Sequence, residues 1–430
     1  MRVWLIQTGE PVPLSKSVKR IRTALLASEL ASRGHQVVWW ASAFDHGSRK
    51  FVAPGGSTHL LDDGIELRLL PALGYKNNVS LQRYIDHRYV AGRFRKELKK
   101  DLLTPDLIVA ATPDYHIAAE AGDYAARLGI PYVVDLRDVW PDSVVEALPR
   151  GPVRVLGRIA LLGDFRKLRR TLKRASGLVG MMQSMLDWGL GYADRLQGPN
   201  DRVFYLGTEP LPQPDNLFLE ELKSKLGPGE YPTVIYIGTF GRFNHPEVLL
   251  SAVEQIYGET SRRPPFNVII GGEGDRFASI RKKYAHLPGV HFTGWLTAPR
   301  IAAVLCIADV GVVPWASGIA FPNKAFSYLE AGLPLVHSAG GDLQQIGNEE
   351  GFAEFFEPGN AKMLGEQLLR LVKDPATLSA MGECALRTYN LRFRSEAIYQ
   401  DYADYLESIE NIRYADLFKR EKRRGLNEQQ

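Results

Sequence analysis

Lys324 stands directly after Pro322-Asn323, in the run Gly318-Ile-Ala-Phe-Pro-Asn-Lys-Ala-Phe-Ser-Tyr-Leu-Glu-Ala-Gly-Leu-Pro-Leu-Val, where a helix is expected to start. An ammonium in that first turn acts with the positive end of the helix dipole. Together they suit a diphosphate whose departing charge must be neutralised. A second cluster, Asp135-Leu-Arg-Asp-Val-Trp-Pro-Asp, gathers three carboxylates, one arginine and one tryptophan in eight positions. Arg137 and Asp138 suit a sugar hydroxyl or a phosphate, and Trp140 offers a ring face. A salt-bridged rim is the competing structural reading.

Glycine-bearing loops follow several strand-like runs. Gly238-Thr239-Phe240-Gly241-Arg242 and Gly271-Gly272-Glu273-Gly274 would let a ligand approach the main chain closely, although neither is a Walker loop or a full dinucleotide fingerprint. Gly9, Glu10 and Lys16 lie in the loop after the first strand, before a helix start able to present N–H groups to an anion or an acceptor hydroxyl. No paired-aspartate motif or His/Cys cluster marks a metal site, so neither metal nor cofactor is expected.

These loops need strands to hold them. Apolar runs at Val3 to Gln7, Val37 to Trp40, Leu67 to Leu70, Leu107 to Ala111, Tyr132 to Asp135 and Leu178 to Met181 alternate with amphipathic stretches, as in a parallel α/β sheet. A helix is expected over Val18, Ile21 and Leu25, ending near Gly34. The pattern restarts at Thr233 to Ile237 and continues through Phe266 to Ile270, Val310 to Val313, Leu335 to Ser338 and Phe352 to Phe356. Between the two series lies the Pro- and Gly-rich join Tyr205-Leu-Gly-Thr-Glu-Pro-Leu-Pro-Gln-Pro. The expected organisation is a first domain over 1–205, a second over 206–390, a returning helix over 391–415 and a basic, disordered tail over 416–430.

Charge divides along the same line. Residues 1–205 hold 30 Lys+Arg against 21 Asp+Glu, a net +9, whereas the remainder holds 23 against 28, a net −5. A basic first half suggests an anionic partner such as a phosphate-bearing lipid or a membrane surface. The stretch 164–174, with Phe165, Leu168 and Leu172 flanked by Arg166, Lys167, Arg169, Arg170, Lys173 and Arg174, reads as an interfacial helix, and Tyr84 to Lys100 adds further basic residues. A solvated basic face over an ordinary core stripe is the alternative. The opening Met1-Arg-Val-Trp-Leu-Ile reads as a strand rather than an export signal. The expected location is therefore the cytoplasm, at the inner face of its membrane. Cys306 and Cys384 are expected as small buried hydrophobes, and nucleic-acid binding is disfavoured because no reader motif accompanies the basic residues.

Taken together, these segments resemble the retaining family-4 glycosyltransferases of the GT-B fold, particularly the bacterial surface-polysaccharide branch. The likeness runs from the opening strand and loop through Arg33-Gly-His-Gln-Val and Arg137-Asp-Val-Trp-Pro. It continues in Val290-His-Phe-Thr-Gly-Trp-Leu, Ala308-Asp-Val-Gly-Val-Val-Pro-Trp, Phe321-Pro-Asn-Lys and Ala331-Gly-Leu-Pro-Leu-Val. The resemblance implies two Rossmann-like domains whose parallel sheets face each other across a cleft. It also implies a nucleotide-sugar donor, UDP-linked, and a glycan or polyprenyl-diphosphate-linked acceptor. Arg137 and Asp138 occupy the place of a His-Asp pair near the transferred sugar. Arg242 and Lys324 would neutralise the diphosphate, the Gly294-Trp295-Leu296 loop would seat the base, and the last helix would cross back to the first domain. Two glutamates of the family's donor motif are replaced by Ile319 and Ser327. Ser327 remains able to bond a ribose hydroxyl, with Glu330 one helical turn on as a partial substitute. Thr239 and Asn244 stand where an arginine and a lysine are usual.

The implied reaction is front-face substitution with retention, in which a donor phosphate oxygen helps deprotonate the acceptor while Lys324 and Arg242 stabilise the leaving diphosphate. Two other classes stay open. One is a non-catalytic nucleotide-sugar-binding partner subunit, motivated by the missing glutamates; the other is a nucleotide-sugar 2-epimerase, for which no acid and base set is visible.

Overall fold

The computed structural model describes residues 1–15, 18, 20–77, 80–100, 103–227, 231–241, 243–260, 262–316, 318 and 320–409. The chain divides into two compact units. One is Met1–Gly207 with the helix over 395–409, and the other is Thr208–Arg394. Residues 391–394, expected with the returning helix, belong to the second unit, where Phe393 packs on Phe321 and Phe326 at 5.2 and 5.3 Å between ring centroids. The expected tail over 416–430 lies outside the described residues.

The first unit is built on β1 (Arg2–Ile6), β2 (Gln36–Ser42), β3 (Phe44–Asp45), β4 (Lys50–Phe51), β5 (Thr58–Leu60), β6 (Glu66–Leu70), β7 (Leu107–Ala111), β8 (Tyr132–Leu136), β9 (Gly177–Gly180) and β10 (Arg202–Val203). Its main sheet runs β10-β9-β8-β7-β1-β2-β6-β5, parallel throughout except for the edge strand β5; β3 and β4 form a separate antiparallel pair. The inner strands are almost continuously apolar because helices cover both faces. One covering layer includes Trp4, Trp40 and Phe94. The other is completed by Tyr402, Leu406 and Ile409 of the helix over 395–409.

The first helix starts at Arg22, later than its apolar spacing suggests, because Ile21 is extended at φ −126° and ψ −169°. Glu10 accepts from the Thr23 N–H at 2.9 Å, satisfying one of the donors that a helix start leaves open.

The second unit holds β11 (Thr233–Ile237), β12 (Asn267–Gly271), β13 (Val290–Gly294), β14 (Val310–Val313), β15 (Leu335–His337) and β16 (Ala353–Phe355). They form a wholly parallel sheet ordered β13-β12-β11-β14-β15-β16. The strand order reverses between β11 and β14, and in the first unit between β1 and β7. Open α/β sheets bind ligands at the carboxyl ends of their strands beside such a reversal. Cys306 is exposed and Cys384 half-buried, so neither is the core residue the sequence suggested.

Candidate functional site

In the second unit the reversal point is occupied by Lys324. Pro322, extended at φ −65° and ψ 142°, caps the helix Asn323–Glu330 and sets Lys324 in its first turn, with Asn323 exposed. The ammonium lies 4.1 Å from the Tyr236 ring centroid and donates to Asn244 Oδ1 at 2.7 Å. A Cβ on Gly238 would come within 2.5 Å of Nζ, so glycine is required for the lysine to reach over the end of β11. Burial lowers Lys324 from its ordinary range to about 7. Asn244 also donates from Nδ2 to Thr239 Oγ1 at 3.2 Å. Asn244 thus holds the lysine and is itself fixed by Thr239.

The two glycine loops of this unit meet main chain to main chain. Gly238 N–H donates to Gly271 O at 3.0 Å, Phe240 N–H to Glu273 O at 3.0 Å, and Gly272 N–H to Gly294 O at 2.8 Å. A Cβ on Gly272, at φ +125°, would fall 1.9 Å from Gly238 O; one on Gly274, at φ +150°, would fall 2.9 Å from Phe240 N. The space that Gly272 and Gly274 leave is taken by the loop after β11. Leu296 is buried against Gly271, whereas Trp295 and Glu273 are exposed beside them. Arg276, which no motif singled out, donates from Nη2 to Gly241 O and to Asn244 O, both at 2.7 Å, and pairs with Glu247.

Ser327 is half-buried one turn beyond Lys324. The Glu330 carboxylate accepts from the Leu211 N–H at 2.7 Å and bonds Tyr389, tying the start of the unit to its last helices. Arg242, Lys16 and Ile319 lie outside the described residues.

In the first unit, Arg137 and Glu10 do not present free charges. Arg22 and Arg137 both grip Asp135: Arg22 Nε and Nη2 each at 3.0 Å, Arg137 Nε at 2.9 Å and Nη2 at 2.7 Å. Arg137 also pairs with Glu10 and donates to Thr23 Oγ1 at 2.9 Å, while Arg22 donates to Phe204 O at 2.7 Å. Burial alone would raise the Asp135 carboxyl, yet the two guanidinium groups bring it below the ordinary range. The expected contact of Arg137 with a sugar or phosphate is therefore corrected to a buried structural network. Gly9 is occupied locally, its N–H donating to Gln7 Oε1 at 2.7 Å.

Asp138 separates from Arg137. It accepts from the Val139 N–H at 2.8 Å, and burial raises its carboxyl, opposed by that bond and by the charge of Arg83. Around it stands a cluster that sequence inspection missed. Arg83 lies 4.5 Å over Trp140 and 5.5 Å over Tyr75; Arg49 lies 5.2 Å over the same tyrosine; and His46 Nδ1 is 2.6 Å from Tyr75 Oη. Arg49 is one of two described non-glycine residues with positive φ, at 59°, a conformation that merits a local reason. Burial and the two arginines hold His46 near 4, hence neutral at pH 7. These residues come from the β3–β4 turn, from the segments after β6 and β8 and from the helix Leu81–Glu97, so no short motif announced them.

The predicted basic surface is also rearranged. In the helix Leu162–Arg174, Leu168 and Leu172 are buried and Phe165 half-buried, so the stripe expected to meet a membrane packs into the protein. No helix among the described residues is long and apolar enough to cross a membrane, and no three His, Cys, Asp or Glu side chains there gather to hold a metal.

Comparison with known proteins matches residues 20–207 to the model described as a glycosyl transferase 4-like domain, and residues 231–374 to the glycosyl transferases group 1 model. No curated protein matches. Among solved structures, sucrose-phosphate synthase from Thermosynechococcus elongatus is similar at TM-score 0.69 and 19% identity, covering 97% of this chain and 99% of that one. Anabaena HepE in complex with UDP gives 0.65 and 16%, covering 95% and 99%. An E. coli trehalose-6-phosphate structure bound with UDP-2-fluoro glucose gives 0.68 and 14%, covering 94% and 99%. Two Rossmann-like units, each with its own domain match, and full-length structural likeness of this kind place the chain in the family-4 glycosyltransferases of the GT-B fold.

Proposed function

We propose that the protein moves a hexosyl or N-acetylhexosaminyl group from a UDP-linked donor to a glycan or polyprenyl-diphosphate-linked acceptor in surface polysaccharide synthesis, with retention of configuration. The observation that carries this reading is the desolvated ammonium of Lys324 at a helix start, laid over Tyr236 and Gly238 where the strand order reverses. A diphosphate brought there returns the lysine to its charged form. The charge that develops as the glycosyl bond breaks is then met by the ammonium and the helix N–H groups, without a metal. The proton of the acceptor hydroxyl passes to a donor phosphate oxygen, and the new bond forms on the face the diphosphate leaves. Arg242 is proposed as the second cation, Ser327 as a ribose contact and Trp295-Leu296 as the base seat. On the acceptor side, Asp138 with Arg83, Tyr75 and Trp140 offers the mix of carboxylate, guanidinium and ring faces that sugar hydroxyls require.

The test is a panel of nucleotide sugars incubated without acceptor. Slow release of UDP from one of them, lost in Lys324→Ala, supports the transferase. Formation of a 2-epimer would assign an epimerase, and binding without turnover, with or without candidate acceptors, would assign a partner subunit.

A further inference from the structure

The helix Pro152–Ala160 is the wrong way round for a helix on a water-soluble surface. It is anchored by its small and polar side: a Cβ on Gly157 would lie 2.3 Å from Leu148 Cδ1, and Arg154 Nη2 donates to Glu146 O at 2.9 Å and Leu148 O at 3.0 Å. Pro152, Val155, Leu156 and Ile159 recur at three and four residues on the opposite side, and Leu162 extends the strip. Val155, Leu156 and Ile159 are 60%, 64% and 56% exposed, and no residue of this helix is buried. A surface helix ordinarily turns its apolar stripe to the core and its charges to water. Here the apolar stripe faces out.

We infer that this face docks on an anionic lipid surface. Charge selects the occupant. Between Glu146 and Asp164 the sequence has no acidic residue, while Arg150, Arg158, Arg166 and Arg169 are exposed along and just beyond the helix. An apolar strip with a cationic border is the arrangement by which helices lie in the headgroup region, side chains inserted and guanidinium groups at the phosphates. A second copy of the same face would set arginines against arginines, and the chain's own C-terminal run Lys419-Arg-Glu-Lys-Arg-Arg carries the same sign, so neither complements it. The inference stands independently of the donor chemistry. Its effect would be to bring the first unit to a membrane in which a lipid-linked substrate sits.

The test is co-sedimentation of the full chain with phosphatidylcholine vesicles containing phosphatidylglycerol, at low ionic strength. Leu156→Ser/Ile159→Ser and, separately, Arg158→Gln/Arg166→Gln should each weaken binding by roughly tenfold or more. Because these side chains are exposed, unfolding temperature and donor hydrolysis should stay unchanged. Failure of the unaltered protein to sediment, or equal binding by the Leu156/Ile159 variant, overturns the inference. So does a concentration-dependent dimer that this variant abolishes, which would assign the face to a second copy.

Discussion

Lys324 and Arg137 are both cations at the carboxyl end of a parallel sheet, and both stood out in the sequence as ligands for negative charge. Their surroundings differ in kind. Arg137 lies between Asp135 and Glu10, with Arg22 sharing Asp135, so its charge is already matched inside the fold. Lys324 donates to a neutral acceptor, Asn244 Oδ1, has an aromatic face beneath it, and carries a desolvation cost that lowers it to about 7. A cation is available to a ligand when its own fold has left its charge unmatched, and residue type does not report that.

The contrast is sharpened first by Lys324→Ala, which should reduce transfer or donor hydrolysis by about 100-fold to 1000-fold, the range for removing one preorganised charge-stabilising donor. Steady-state rates at saturating donor measure it. Near-normal rates would break the comparison at its strong end. Arg137→Gln should act oppositely, destabilising the first unit by about 3–5 kcal/mol, as when one partner of a buried ion pair is removed, while leaving UDP affinity intact. Denaturant unfolding and calorimetric titration separate the two effects. Lost UDP affinity in a folded variant would return Arg137 to the donor site.

Gly272→Ala should cost about 1–3 kcal/mol, through its positive φ and the approach to Gly238 O, and should weaken UDP binding as the loops part. Proton linkage gives a further test. With its folded value lowered to about 7, Lys324 binds fewer protons than in the unfolded chain between that pH and its ordinary range, so its contribution to stability rises with pH across that window. Binding of a diphosphate raises the lysine again. UDP titrated at pH 8 should therefore take up a proton, seen as a dependence of binding heat on buffer ionisation, and its affinity should fall as pH rises above 7. The smallest effect belongs to Glu330→Gln, about 1 kcal/mol or less in stability, since Leu211 N–H keeps an acceptor, with donor KM unchanged.

Both sheets were legible in the sequence because parallel strands covered on two faces must be continuously apolar, as in Leu107–Ala111 and Thr233–Ile237. Lys324 was legible because the Pro-Asn turn and the helix after it are local signals. The aim of Arg137 was not, because Glu10 and Thr23, which it bonds, and Arg22, which shares Asp135 with it, lie more than a hundred residues away in the chain. Nor was the set of Arg49, Tyr75, Arg83 and Trp140, which only the strand order brings together. The stripe at Phe165, Leu168 and Leu172 misled for a related reason: periodicity tells that a helix has an apolar side without telling what that side meets.

The seam between the two glycine loops has a design consequence. Its bonds run between peptide groups, so it does not sense which side chains hang beside it. The exposed Glu273 can be exchanged without unfastening it, provided the glycines at 238, 272 and 274 stay and Phe240 keeps its place in the core. If the proposed donor site lies here, its selectivity can be redesigned on a frame that keeps its shape.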